Sequence, residues 1–268
     1  MRLAILGYGN MGRAIARAVR SRADVDCALM IWDKDEARRA EAATEATVVE
    51  PAEWFSGGRI PDVALTAVKP QDIDAALAVF DAVDPALRCR SLWLSIAAGV
   101  PIRALQKALG DQARICRAMP NTPAMIGRGM TGYAMSASCG DHDVALVRSI
   151  LDSCGRSVQV AESMLNAITA VSGCGPAYVY LFIEALIEAG VTAGLTRDVA
   201  RRAAVQTVLG AAGMVDQGQE SPATLKSRVM SPGGATAAAL KELEKHAFKF
   251  SVFEAVEAAA RRAAELEP

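Results

Sequence analysis

Histidine is nearly absent from this chain of 268 residues: His142 and His246 are its only two, and they lie far apart. That excludes an HExxH zinc helix and leaves a histidine-based nucleophilic triad with poor support. The six cysteines, Cys27, Cys89, Cys116, Cys139, Cys154 and Cys174, are scattered without a CxxC or any paired spacing. Such usage argues against a zinc site or a disulfide framework and fits a reducing compartment. Charge excess is missing too. With 29 Lys and Arg against 30 Asp and Glu, the net charge is −1, which gives no general pull toward nucleic acid or anionic membrane. Arg13, Arg17 and Arg20 recur at helical spacing, but no aromatic platform or second basic cluster accompanies them, so they read as a solvated helix face. The most apolar run, AYVYLFIEALIEAGV, is interrupted by Glu184 and Glu188 and is short for a bilayer span. Those two glutamates have no histidine beside them and read as a polar stripe or an interface contact rather than a metal pair. Residues 3–7 already read as a strand, so no signal peptide is expected. Together these gaps predict a soluble cytoplasmic protein with no metal site and with neither nucleic acid nor membrane as partner.

What is present divides in two. Up to about residue 161, short apolar runs (LAIL, ALMIW, VALTAV, LWLSIA, ARICRAM) alternate with helical spacing, as over 71–82 and 101–109. Strands alternating with helices imply right-handed crossovers and a mainly parallel sheet. MTGYAMS and SVQVAE are weaker strands suited to a sheet edge. From residue 162 the strand signal stops, and 163–171, 176–194, 197–217, 234–245 and 248–266 read as helices rich in Ala, Leu and Glu. The expected fold is therefore α/β: a Rossmann-type, doubly wound, mainly parallel sheet over 1–161, followed by an all-α domain over 162–268. Gly210 and Gly213 inside a helix each cost about 1 kcal/mol against alanine, a cost that close helix approach would offset. The apolar stretch 177–187 is hard to bury within so few helices, which points to subunit contact.

The first chemical motif is GYGNMG, placing Gly7, Gly9 and Gly12 at GxGxxG spacing between a strand and a helix. In that context the glycines allow a tight turn, backbone approach to a pyrophosphate and close helix–strand packing, while the helix N-terminus favours the phosphates. Asp33, at the end of the second strand, stands where a carboxylate accepts from the adenine ribose hydroxyls and favours NADH. It equally suits the cap of the following helix, and Lys34 beside it could pair with a 2′-phosphate, so NADPH and NADH both stay open. Further strand ends carry Lys69-Pro70, Ala97-Ala98-Gly99 and the stiff polar loop Pro120-Asn121-Thr122-Pro123. Ligands of open parallel sheets bind beyond such carboxyl ends.

GYGNMG, AVKP, SIAAG, RAMPNTP, SGCGPAYVYLFIEAL and LKSRVMSPGGAT follow one another in this order, and in this the chain resembles the pyrroline-5-carboxylate reductases. The resemblance runs over essentially the whole chain, and SPGGAT is its most specific motif. It implies reduction of 1-pyrroline-5-carboxylate to L-proline with NADPH or NADH, the last step of proline biosynthesis. It also implies a helical dimerisation domain, a homodimer and possible assembly of dimers into a decamer. By resemblance, Gly7, Tyr8, Gly9, Asn10, Met11 and Gly12 hold the pyrophosphate. Ala67, Val68, Lys69 and Pro70 line the cofactor, and Ile96, Ala97 and Ala98 sit near the nicotinamide. Ser231, Gly233, Gly234, Ala235 and Thr236 receive the substrate, with Thr236 on the ring nitrogen, and Glu162 lies nearby. Cys174 stands for the family's frequent serine, Met230 for a small hydroxyl or thiol residue, and Asp33-Lys34 for a hydroxyl-bearing segment.

Scarcity of histidine suits this chemistry. A protonated imine is already strongly electrophilic, so an orienting hydroxyl with solvent as proton source suffices, whereas a ketone needs an acid for the developing alkoxide. A lysine can also serve as such an acid, and Lys69 stays open for that role. Cys174 reads as a small packing residue rather than a nucleophile. Competing expectations are a related Rossmann reductase, such as a β-hydroxyacid dehydrogenase or another imine reductase, and a nucleotide-sensing module without turnover.

Overall fold

The computed structural model describes residues 1–22, 26–56, 58 and 60–267. Two compact units emerge: the described parts of Met1–Cys174 with Ala259–Pro268, and Gly175–Ala258.

The first unit is built on strands β1 (Arg2–Leu6), β2 (Ala28–Trp32), β3 (Thr47–Val48), β4 (Val63–Thr66), β5 (Leu92–Ser95), β6 (Arg114–Met119), β7 (Gly129–Met135) and β8 (Gly155–Gln159). They form one sheet in the order β3-β2-β1-β4-β5-β6-β7-β8. Every pairing is parallel except β6 with β7, which is antiparallel. Strand order turns round between β1 and β4, and at such a switch point a crevice opens beyond the carboxyl ends.

Both faces of the sheet are covered, and for that reason its strands read as unbroken apolar runs. Along β1, Leu3 and Ile5 join one core, while Ala4 and Leu6 join the other. The first core is closed by α1 (Asn10–Ser21) through Ile15 and Val19, and by α6 (Asp141–Leu151) through Val147 and Ile150. On the opposite face stand α3 (Ile73–Ala78) and α5 (Ile102–Leu109), with Leu77 and Leu105 turned inward. Here Phe80 meets Trp93 edge-on, ring centroids 5.1 Å apart, and Trp54 at 5.5 Å. Shorter helices α2 (Glu36–Ala42), α4 (Pro85–Arg88) and α7 (Leu165–Ile168) complete the unit. The arginine face of α1 is solvated, as expected, and also carries acids: Arg13 pairs with Glu41, and the exposed Arg17 with Glu41 and Glu45. Arg20 donates to the Glu45 carbonyl.

The second unit holds α8 (Gly175–Thr192), α9 (Arg197–Asp216), α10 (Pro222–Arg228), α11 (Ala235–Lys245) and the first part of α12 (Phe248–Glu265). α10 was not expected from periodicity. It is started by Ser221, whose Oγ accepts the Thr224 N–H at 3.1 Å, and by Pro222 in its first turn. The close helix approach expected at Gly210 and Gly213 occurs instead at Gly190, where an added Cβ would stand 3.1 Å from the Ala200 Cβ. Nothing described lies within 4 Å of a Cβ at Gly210 or Gly213. The unit keeps large side chains outside: Tyr180, Leu181, Phe250 and Phe253 are each at least 60% exposed. The helical run Glu162–Thr192, with mean hydropathy 1.5, is long and apolar enough to cross a membrane by length and composition, and little of it is buried.

Burial has a chemical consequence for the thiols of the first core. Desolvation pushes Cys116 well above the ordinary thiol value and raises Cys154 as well, the latter partly offset by the Ser153 hydroxyl. Raising a thiol pKa removes the nucleophilic thiolate at mildly alkaline pH. Iodoacetamide at pH 8, read by peptide mass spectrometry, is therefore expected to leave both unlabelled in the native protein and to label both in denaturant. Rapid native labelling of Cys116 would contradict the packing of this core.

Candidate active site

The loop between β1 and α1 is shaped by close approach. Gly7 has φ +103°, and a Cβ there would lie 2.7 Å from the Ala67 carbonyl oxygen, so the turn rests on the end of β4. At Gly12 a Cβ would lie 2.1 Å from the Gly7 carbonyl oxygen, so the first turn of α1 is folded directly onto the loop. Gly9 differs: only the Arg38 guanidinium comes within 4 Å of its added Cβ, which leaves this side of the backbone open. Gly9 is also the N-cap of α1 and supplies no side-chain cap, so the helix presents N–H donors and its positive end to the crevice. Tight turn, open approach and close packing are thus divided among three glycines, as a pyrophosphate cradle requires.

Asp33 holds this loop in place. Its carboxylate is 4% exposed and accepts the Tyr8 N–H at 2.6 Å and the Asp35 N–H at 2.9 Å. Arg38 approaches the same carboxylate at 3.5 Å. The Gly7 N–H donates to the Trp32 carbonyl at 2.8 Å, adding a second tie from β2. The cap of α2 is Asp35, which accepts from Ala37 and Arg38, so Asp33 does not serve as that cap. Lys34 is mostly exposed and sits 3.1 Å from Asp72.

The crevice beyond these strand ends has a volume of about 840 Å³. Gly7, Gly9, Asn10 and Met11 line it from the loop, and Asp33 and Lys34 from β2. Ala67, Val68 and Lys69 line it from β4, and Ile96 and Ala98 from β5. Tyr8 and Gly12 lie beneath the loop, Ala97 is buried, and neither they nor Pro70 reach the lining. Glu162 is also off the lining; its Oε1 accepts from Arg117 at 3.1 Å and from the Ile102 N–H at 2.8 Å. Sequence reasoning missed Trp32, Arg38, Gln71, Met119 and Thr169, all of which line the crevice. Arg38 had a readable signal, since the first turn of a helix after β2 returns toward the same strand end. Thr169 had none, because a π-helical turn over Thr169–Gly173 sets its direction. Cys174, read as a small packing residue in SGCGP, lines the crevice as well.

The SPGGAT segment lies in the helical unit, between α10 and α11. Ser231 accepts the Gly234 N–H at 3.0 Å across Pro232 and Gly233, whose φ is +67°. Proline at the first corner and a positive-φ glycine at the second is the pattern of a type II turn. A Cβ on Gly234 would stand 2.3 Å from the Ser231 Oγ, so only glycine leaves that hydroxyl its place. Gly234 is the N-cap of α11, again without a side-chain cap, and Thr236 follows in the first turn, half-buried.

A Rossmann sheet with an uncapped glycine loop over a large crevice defines a dinucleotide-binding protein. Residues 162–266 match the family model described as pyrroline-5-carboxylate reductase dimerisation, and 2–99 match NADP oxidoreductase, coenzyme F420-dependent. The pyrroline-5-carboxylate reductase of Synechocystis is 40% identical over 267 residues, covering 99% of this chain and 98% of the relative. The solved Coxiella burnetii pyrroline-5-carboxylate reductase superposes with a TM-score of 0.88 at 32% identity, covering 99% of this chain and 98% of the other. The Plasmodium falciparum pyrroline carboxylate reductase, solved with NADP bound, gives 0.86 at 32% identity, covering 100% and 98%. The chain belongs to the pyrroline-5-carboxylate reductase family.

Gly12→Ala tests the cradle, because its methyl group collides with the loop backbone rather than with a movable side chain. Its affinity for NADPH, measured by fluorescence titration, is expected to fall by about tenfold or more, or about 1.4 kcal/mol. Wild-type affinity would show that the loop does not carry the nucleotide.

Proposed function

We propose that this chain reduces 1-pyrroline-5-carboxylate to L-proline with NADPH or NADH, the last step of proline biosynthesis. The observation that carries the reading is the Ser231–Gly234 turn feeding α11, in a chain whose glycine loop builds a separate nucleotide cradle. When bound, the nicotinamide cofactor supplies the hydride. Gly7, Tyr8, Gly9, Asn10, Met11 and Gly12 form the cradle that holds the pyrophosphate. Ala67, Val68 and Lys69, ahead of Pro70, form the β4 side, and Ile96 and Ala98, flanking the buried Ala97, leave room for a flat ring. Ser231, Gly233 and Ala235 offer a hydroxyl and backbone N–H groups to the substrate carboxylate at a helix start, while Gly234, whose N–H closes the turn onto the Ser231 carbonyl, gives the backbone its close approach. Thr236 accepts from the protonated ring nitrogen and orients it, with solvent as the source of the proton. No histidine is needed in this scheme. Glu162 engages Arg117 and the start of α5.

With the Asp33 carboxylate already engaged by the loop, the exposed cations Lys34 and Arg38 are the groups suited to a 2′-phosphate. The protein acts as a homodimer through its helical region, with a decamer as the higher assembly, a reading supported by the dimerisation family match and the exposed apolar side chains of α8 and α12. Six unpaired cysteines support a cytoplasmic location.

Purified protein mixed with 1-pyrroline-5-carboxylate and NADPH or NADH is expected to consume the reduced cofactor. Absence of turnover with both would end the proposal. Thr236→Ala is expected to lower kcat/KM by about five- to thirtyfold, the value of one or two kcal/mol of lost hydrogen bonding.

For the adenosine end, Arg38→Ala is expected to raise the dissociation constant of NADPH by about tenfold, a charge-assisted contact's worth, and that of NADH by much less. Equal effects on the two nucleotides would remove Arg38 from that role.

A further inference from the structure

Arg117 is a cation sealed inside the sheet unit. It lies on β6 opposite Ser95 of β5 and is 1% exposed. Two carboxylates reach it from segments far along the chain: Glu162 at 3.1 Å from Nη1 and Glu267 at 2.7 Å from Nη2. Its Nε finds no hydrogen-bond acceptor among the described residues. A buried guanidinium is costly unless its charge is matched, so each carboxylate is held firmly where it stands.

Both segments also grip the loop that joins β5 to α5. Glu162 accepts the Ile102 N–H at 2.8 Å, at the first residue of α5, which has no side-chain cap of its own. Next to Glu267, Leu266 lays its backbone against Gly99: a Cβ there would stand 2.8 Å from the Leu266 carbonyl oxygen, and Gly99 has φ +74°. Between these two grips run residues 96–101, of which Ile96 and Ala98 line the crevice. None of Arg117, Glu162, Leu266 or Glu267 reaches that lining.

We infer that Arg117, Glu162, Glu267 and Leu266 form a latch that positions the β5–α5 loop and thereby sets one wall of the cofactor crevice. The role of that wall in hydride transfer rests on the function proposed above. These are positioning residues, acting through Ile96 and Ala98. The loop leaves the ladder after the Ile96 N–H, which donates to the Thr66 carbonyl at 3.1 Å, and beyond that point the two grips add to its few internal bonds. Displacement of a reacting partner by about an ångström can cost a hundredfold in rate, so such a latch affects turnover without touching the nucleotide.

Glu267→Gln keeps the side-chain size and removes the charge that ties the C-terminal arm to Arg117, while Gly99→Ala disturbs the same arm at its contact with the loop. Three readouts separate positioning from plain stability: hydrogen exchange over residues 96–102 without nucleotide, kcat at 25 °C, and dissociation constants for NADPH and adenosine 2′,5′-bisphosphate. For each variant, exchange over 96–102 is expected to quicken and kcat to fall by about fivefold. The bisphosphate, which lacks nicotinamide, is expected to bind within about twofold of wild type. Unchanged exchange and kcat would overturn the latch even if the melting temperature fell, and so would an equal loss of affinity for both nucleotides. If the wild type showed no turnover, the proposed reaction would fail, while the exchange and binding arms would still decide the latch.

Discussion

The carboxylate of Asp33 ties the end of one strand to the loop after another, and the nucleotide cradle depends on that tie. By accepting the Tyr8 N–H, it holds the turn that Gly7 begins, and Gly12 can then fold onto the Gly7 carbonyl. A hydrogen bond to a charged acceptor contributes about 1.5–3 kcal/mol, and this one lies where water competes little. Its placement also settles what the carboxylate is free to do. A group whose oxygens both face backbone donors is an anchor first, and the neighbouring cations then set the electrostatics of the crevice rim.

Charge elsewhere in the sheet unit follows the same logic of internal matching. The arginines of α1 are answered by Glu41 and Glu45, and Arg117, the most buried cation among the described residues, is answered twice. A near-zero net charge thus reflects acids and bases paired across elements rather than a bland surface. In the helical unit the unmatched quantity is apolar area instead. Tyr180, Leu181, Phe250 and Phe253 stay exposed within a stretch that matches a dimerisation family, so the single chain is short of cover there.

Much of the sheet unit was legible from residue pattern. Strands buried on both faces announce themselves as continuous apolar runs, and GYGNMG between LAIL and a helix leaves little freedom in what it builds. The two-residue strand β3 was not legible, since Thr47–Val48 is too short to carry a period. α10 was missed because its signal is the cap Ser221-Pro222 rather than periodicity. The crevice was half legible: strand ends name Lys69 and Ala98, and the resemblance adds Ala67, Val68 and Ile96, but Thr169 arrives from a π-helical turn that no local pattern encodes. Glu162 shows the reverse case. Resemblance set it near substrate, whereas its hydrogen bonds run to Arg117 and to the start of α5.

Of the three tryptophans, Trp54 and Trp93 are sealed in the aromatic core, while Trp32 lines the crevice under the Arg39 guanidinium, 6.0 Å from its ring centroid. The protein therefore carries two indoles as an internal intensity standard and a third beside the nucleotide cradle. Occupancy of the crevice can be followed optically in the unlabelled chain.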